Sequence, residues 1–171
     1  MRSTWKILGL LVLTVGITAA PNPAAGSGAE AFEKLKALVG HWETDKTNMN
    51  KATLDVELTS GATAVLEKFH MVENGKPVDM TTLYYLDGDQ VKLTHYCMAG
   101  NQPTMKGSYA PETKTITFEL VSISNLKSLD DGHMHHAVYT FIDNDHFKTT
   151  WTFRKEQKDA FTEDVTYVRT K

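Results

Sequence analysis

Two side chains able to do chemistry stand two residues apart in Thr94-His95-Tyr96-Cys97, and Cys97 is the only cysteine in the chain. On an extended strand, residues i and i+2 point to one face about 7 Å apart, so the imidazole and the thiol look into the same space. A polar turn, Gly100-Asn101-Gln102-Pro103, follows and brings two carboxamides. His133 and His135 repeat the i, i+2 spacing further along. Two readings follow. In the first, Tyr84, His95, Trp151, Asn101 and Gln102 line an organic-ligand pocket, an apolar wall with a few directional polar groups. In the second, His95, Cys97, His133 and His135 all face inward and offer four soft or borderline donors to zinc or copper. The metal reading stands second, because the two pairs lie on strands that are not neighbours in a meander. The chain also lacks the tight Cys-x-x-Cys or His-Glu-x-x-His spacing of strong metal motifs.

Catalysis ranks below both. A His95-Cys97 nucleophile pair has no evident third group to orient it, and there is no Gly-x-Ser-x-Gly, phosphate loop or dinucleotide fingerprint. The expectation is a binding module rather than an enzyme. Glu67 adds one more polar group. It lies in a run of alternating apolar residues, where an ionised carboxylate needs a partner, a raised pKa or hydration at a barrel mouth.

The elements that must position these groups are legible from periodicity. Residues 29–39 carry Phe32, Leu35, Leu38 and Val39 at helical spacing, opposite Glu33, Lys34 and Lys36, and Gly40 ends the pattern. Beyond Gly40 the apolar period is two. Turn signals interrupt it at Ser60-Gly61, Asn74-Gly75, Gly88-Asp89, Pro111-Glu112, Asp143-Asn144-Asp145 and near Glu156. About ten strands are expected, near 40–46, 52–59, 62–72, 78–86, 91–98, 103–110, 115–123, 132–142, 146–155 and 160–169. A short N-terminal helix followed by about ten meandering strands predicts an all-β fold, an up-and-down antiparallel barrel without exposed edges.

Hairpin parity assigns the faces. A two-residue turn at Gly88-Asp89 places Met80, Thr82, Tyr84 and Leu86 on one side with Val91, Leu93, His95 and Cys97. A turn at Ser60-Gly61 aligns Leu54, Val56 and Leu58 with Val65, Glu67, Phe69 and Met71. The hairpin around residues 143–145 admits two parities. An Asn144-Asp145 turn pairs the face of Phe147, Thr149, Trp151 and Phe153 with Met134, His136, Val138 and Thr140. A three-residue loop pairs it with His133, His135, Ala137, Tyr139 and Phe141 instead, and the burial of Tyr139 and Phe141 favours this second register.

Residues 1–29 read as a signal peptide with a small-residue exit. Arg2 and Lys6 precede an apolar run from Ile7 to Ala20, followed by small and turn-forming residues. Small residues suited to cleavage occur in Thr18-Ala19-Ala20, Ala24-Ala25-Gly26 and Ser27-Gly28-Ala29. The apolar run is shorter than the about 20 residues a membrane span needs, so a secreted or periplasmic location without a span is expected. Residues 30–171 then form one domain, large enough for its own core. The whole chain has 18 Lys and Arg against 21 Asp and Glu; without Arg2 and Lys6 the balance is 16 against 21, or −5. That acidity, with no basic cluster, argues against a nucleic-acid partner and leaves a small-molecule ligand.

The segment Phe32-Glu33-Lys34-Leu35-Lys36-Ala37-Leu38-Val39-Gly40-His41-Trp42 resembles the helix and Gly-x-Trp opening of calycin barrels: lipocalins, fatty-acid-binding proteins and nitrobindin-like proteins. Thr94-His95-Tyr96-Cys97, Ala99-Gly100-Asn101-Gln102-Pro103 and His133-Met134-His135 are similar to an uncharacterised family of small exported bacterial calycin-like proteins. The resemblance spans residues 30–169. It implies a barrel with an internal pocket and a Trp42 that closes one end, and it transfers no catalytic residue. No motif here matches the haem-binding histidine of nitrobindin-like barrels, so haem is not implied.

Overall fold

The computed structural model describes residues 26–47 and 51–170, so most of the predicted signal segment lies outside the described residues. Helix α1 (Gly28–Lys36) begins at a reciprocal cap. The Ser27 hydroxyl accepts the Glu30 N–H at 3.1 Å, and the Glu30 carboxylate accepts the Ser27 N–H at 2.8 Å. Such a cap contributes about 1 kcal/mol, whereas burying Phe32 and Leu35 contributes roughly 1.5–3 kcal/mol each. Packing therefore holds the helix in place and the cap sets where it starts.

Ten strands follow: β1 (Gly40–Thr44), β2 (Ala52–Thr59), β3 (Ala64–Glu73), β4 (Lys76–Asp87), β5 (Gln90–Tyr96), β6 (Gln102–Ala110), β7 (Thr115–Ser124), β8 (His133–Phe141), β9 (His146–Lys155) and β10 (Lys158–Thr170). Each pairs antiparallel with its sequence neighbour, and β1 pairs with β10 (His41 opposite Thr170), which closes an up-and-down barrel. The fold class expected from the sequence is the one observed, and a calycin-like barrel fits it. Among the described residues no helix is long and apolar enough to cross a membrane.

The inward face carries the core. Leu54, Val65, Tyr84, Leu93, Met105, Phe118, Tyr139 and Phe147 are all buried. Gly107 of β6 faces inward, where an added Cβ would lie 2.6 Å from Val91 Cγ1 and 2.7 Å from Phe118 Cε1, so those two side chains fill the space a larger residue would need. Helix α1 packs against β4, β5 and β6 and closes the end of the barrel where β5 begins. Trp42 seals that end. Its Nε1 donates to the Leu38 carbonyl at 2.7 Å and its ring meets Phe147 edge-on at 4.7 Å. The Arg169 guanidinium lies 4.1 Å from the Trp42 ring centre and donates to the Val39 and Ala37 carbonyls at 2.7 and 2.9 Å. These bonds satisfy carbonyls that the end of α1 leaves open.

The opposite end is the mouth, and three β-bulges gather there. The ladder shifts by one residue at Val121 in β7, at His135 in β8 and at Ala160 in β10. Bulges at a barrel rim bend the strand and re-aim the side chains beyond them.

Candidate functional site

The site grows out of one row of paired residues. Glu67 of β3 faces Thr82 of β4, and Thr82 faces His95 of β5, all on the inward side. The even-length connections before β3 and β5 put them there, as hairpin parity predicts. Glu67 is 5 % exposed, and its Oε2 accepts the Tyr84 hydroxyl at 2.9 Å and the Tyr139 hydroxyl at 3.4 Å. The two hydroxyls are 2.5 Å apart. Burial raises the Glu67 pKa from 4.5 to about 7, against the lowering effect of the hydroxyls of Tyr84, Tyr139 and Thr82. The same burial raises Tyr84 and Tyr139 well above the ordinary phenol range, which keeps both as neutral donors.

His95 is likewise 5 % exposed. Its Nδ1 lies 2.9 Å from Thr82 Oγ1, and its ring tilts against Trp151 with centres 5.0 Å apart. Burial lowers its pKa to about 4, so the ring is neutral at physiological pH. The Thr82 hydroxyl has one proton to donate, and where Glu67 is ionised its carboxylate accepts that hydrogen bond. The Thr82 oxygen then accepts Nδ1–H, and Nε2 is left as a bare acceptor. That Nε2 is buried and has no protein partner. A buried polar atom without a partner is costly, and such atoms concentrate where something else supplies the missing bond.

Glu67 and His95 line a cavity of about 50 Å3 together with Tyr139, Trp151 and Tyr167, large enough for a few water molecules or the end of a ligand. Above it the mouth widens into a cleft of about 760 Å3 whose walls include Met71, Met80, Met98, Met134, Phe153 and Phe161. Phe69, Met80, Met134 and Glu163 border both spaces, so the cleft leads down onto the polar floor. Thioether chains are flexible and polarizable, which makes such walls adaptable to ligand shape.

The residues expected from the sequence fall into three groups. Glu67, His95 and Trp151 come together at the cavity, and Tyr84 supports Glu67 from below. Cys97 is on the same face as His95 but nearer the mouth, in the wall of the cleft, and burial raises its thiol pKa. Asn101 and Gln102 do not reach the cavity. Asn101 Nδ2 donates to the Gly132 carbonyl at 2.8 Å, and Gln102 Oε1 accepts the Ser124 hydroxyl at 2.9 Å. Asn101 ties its turn to the loop before β8, and Gln102 bonds its cross-strand partner on β7, because inward pointing in β6 belongs to Pro103 and Met105.

The metal reading is corrected by the bulge in β8. The expected register holds for Ala137, Tyr139 and Phe141, which face Trp151, Thr149 and Phe147. The extra residue, His135, then flips the parity, so Met134 faces inward opposite Phe153, and His133 and His136 pair with Arg154 and Thr152 on the other side. His133 bonds the Asp131 carbonyl at 3.0 Å, and His136 lies 3.2 Å from Glu119. His133 and His135 therefore do not meet His95 and Cys97. Among the described residues no three His, Cys, Asp or Glu side chains group so as to hold a metal ion.

Sequence reasoning missed Tyr139 as a partner of Glu67, and it missed the contribution of β10. Glu163 lies opposite Trp151, and Val165 and Tyr167 continue that face. The alternation of Glu163, Val165 and Tyr167 was the available signal.

No family model matches this chain, and no curated protein matches it. Among solved structures, it is similar to a protein of unknown function from the DUF3598 family of Nostoc punctiforme, at 9% identity and a TM-score of 0.23. The match covers 81% of this chain and 98% of that one. A likeness so distant assigns neither a family nor a function.

Proposed function

We propose that this chain is an exported binding module whose barrel takes a small, partly apolar molecule through its mouth. The observation that carries the reading is the orphaned Nε2 of His95 at the bottom of a cleft walled by methionines and aromatics. An apolar body is desolvated in the cleft at roughly 25 cal/mol per Å2, and a polar end reaches the floor to complete the missing hydrogen bond. The floor is anchored on neighbouring strands of a closed sheet, so it is preorganised for such a ligand. Export rests on the basic, apolar and small-residue order of residues 1–29, and N-terminal sequencing of the protein recovered from outside the cytoplasm of a bacterial host tests it.

The binding test uses N-phenyl-1-naphthylamine, a fluorophore that brightens in apolar surroundings. Saturable one-to-one binding is expected, with loss of the signal in Met134→Arg, which puts a charge where the cleft meets the cavity. Absence of saturable binding, or binding unchanged by Met134→Arg in a folded variant, overturns the reading.

A further inference from the structure

The lining of the site has a one-sided charge. Glu67 is on the floor, Glu163 borders both spaces and Glu73 lines the cleft. Among the described residues no lysine or arginine lines either space. Asp164 is also at the cleft, but it pairs outward with Lys148 at 3.0 Å. An anionic headgroup entering here would pass Glu73 and Glu163 and reach the buried Glu67 with no compensating cation. Aromatic faces surround the same floor, those of Tyr139, Trp151 and Tyr167. Carboxylates among aromatic rings, beside a neutral His95 and without a lysine or arginine, form an environment that favours a positive charge.

Resting on the pocket reading above, we propose that the ligand is a lipophilic primary amine, its ammonium group seated between Glu67 and His95 and its apolar body in the methionine-lined cleft. Each part of the floor is used. An ammonium has three N–H donors and no acceptor, so it donates to the bare Nε2 of His95 and to the Glu67 carboxylate together. It also supplies Glu67 with an opposite charge inside the barrel. A cavity of about 50 Å3 admits an –NH3+ group, which is close to water in size. An alcohol supplies the donor for His95 without the charge for Glu67, and a carboxylate supplies neither.

A matched series tests this: decylamine, decanol and decanoate, each below its micellar concentration, titrated calorimetrically at pH 8 into the full mature chain. Decylamine is expected to bind about tenfold or more tighter than decanol, with decanoate weakest. In Glu67→Gln the preference for the amine over the alcohol should collapse. The groups that face Glu67 are Tyr84, His95, Tyr139, Tyr167 and, from the exposed rim, Glu163. The tyrosines and His95 stay neutral between pH 6 and 8, so Glu67 sets the pH response of the floor. The amine should therefore bind more weakly at pH 6 than at pH 8 while the alcohol does not change, and amine binding at pH 7 should release protons. Equal affinity for amine and alcohol, or tighter binding of decanoate, overturns the amine assignment and leaves the pocket intact. Failure of all three while N-phenyl-1-naphthylamine still binds also overturns it. Failure of the fluorophore as well removes the pocket reading itself.

Discussion

Replacing Glu67 by glutamine should make the protein more stable, and the gain should depend on pH. In the folded chain the carboxyl titrates near pH 7, whereas in the unfolded chain it titrates near 4.5. Below pH 4.5 both states hold the proton and Glu67 imposes no penalty. Between pH 4.5 and 7 the unfolded chain releases its proton while the folded chain retains it, so stability falls as pH rises. Above pH 7 both are ionised and the penalty is constant at about 3 kcal/mol, from the rise of 4.5 to about 7 at 1.36 kcal/mol per pH unit. A glutamine side chain cannot ionise, has nearly the same shape, and offers an amide oxygen that still accepts the hydroxyls of Tyr84 and Tyr139. Allowing about 1 kcal/mol for an amide that fits the site less well than the acid it replaces leaves a gain of about 2 kcal/mol at pH 8. Because roughly 1 kcal/mol moves the melting midpoint of a domain this size by 2–4 °C, the shift at pH 8 is about 4–8 °C. At pH 4 Glu67 is a neutral acid in both states, so the gain disappears and only the small packing difference between acid and amide remains. Urea unfolding of both proteins at pH 4 and pH 8 reads this difference directly and cancels the titration of every other group. A Glu67→Gln protein no more stable than the parent at pH 8, or equally stabilised at both pH values, refutes the burial argument.

Other consequences concern the frame around the site. Arg169→Ala removes the ring contact to Trp42 and the donors to the Ala37 and Val39 carbonyls, so a loss of about 1–3 kcal/mol is expected, with faster amide exchange in α1. Gly107→Ala pushes a methyl group into Val91 and Phe118 and should destabilise by about 1–3 kcal/mol in denaturant titrations, with no new cavity to relieve it. Cys97 is a buried, protonated thiol, so Ellman's reagent should react slowly with the native protein and promptly in urea, and the native rate should fall further when the cleft is occupied.

The legible and illegible parts of this site divide along the ladders. Glu67 can be placed on the face of Leu54 and Val56, and Thr82 on the face of His95, from sequence because their hairpins, around residues 60–63 and at Gly88-Asp89, have even connections, and side-chain parity survives any even loop. Trp42 is expected to plug the barrel end, and that is where it sits. The far wall is not legible to the same degree. Bulges at His135 and Ala160 insert a residue without a glycine or proline to mark it, and each reverses the alternation for everything beyond. The histidines of 133–136 consequently look like candidate ligands when Met134 is the residue that faces inward. Asn101 and Gln102 mislead for a different reason. A carboxamide at or beside a turn serves equally well to bind a ligand or to bond a neighbouring segment, and only the positions of the Gly132 carbonyl and the Ser124 hydroxyl decide. The Tyr139–Glu67 contact spans β3 and β8, which no local pattern connects.

The measurement closest to the central claim is the 15N NMR spectrum of the His95 side chain, assigned by comparison with His95→Gln and recorded at pH 8, where Glu67 is ionised, with and without saturating decylamine. The account predicts a neutral ring with Nδ1 protonated and Nε2 bare in the free protein, and an Nε2 resonance that moves to a hydrogen-bonded position when the amine is added. A charged ring in the free protein, or an Nε2 resonance that stays in place while the amine is demonstrably bound, would contradict it.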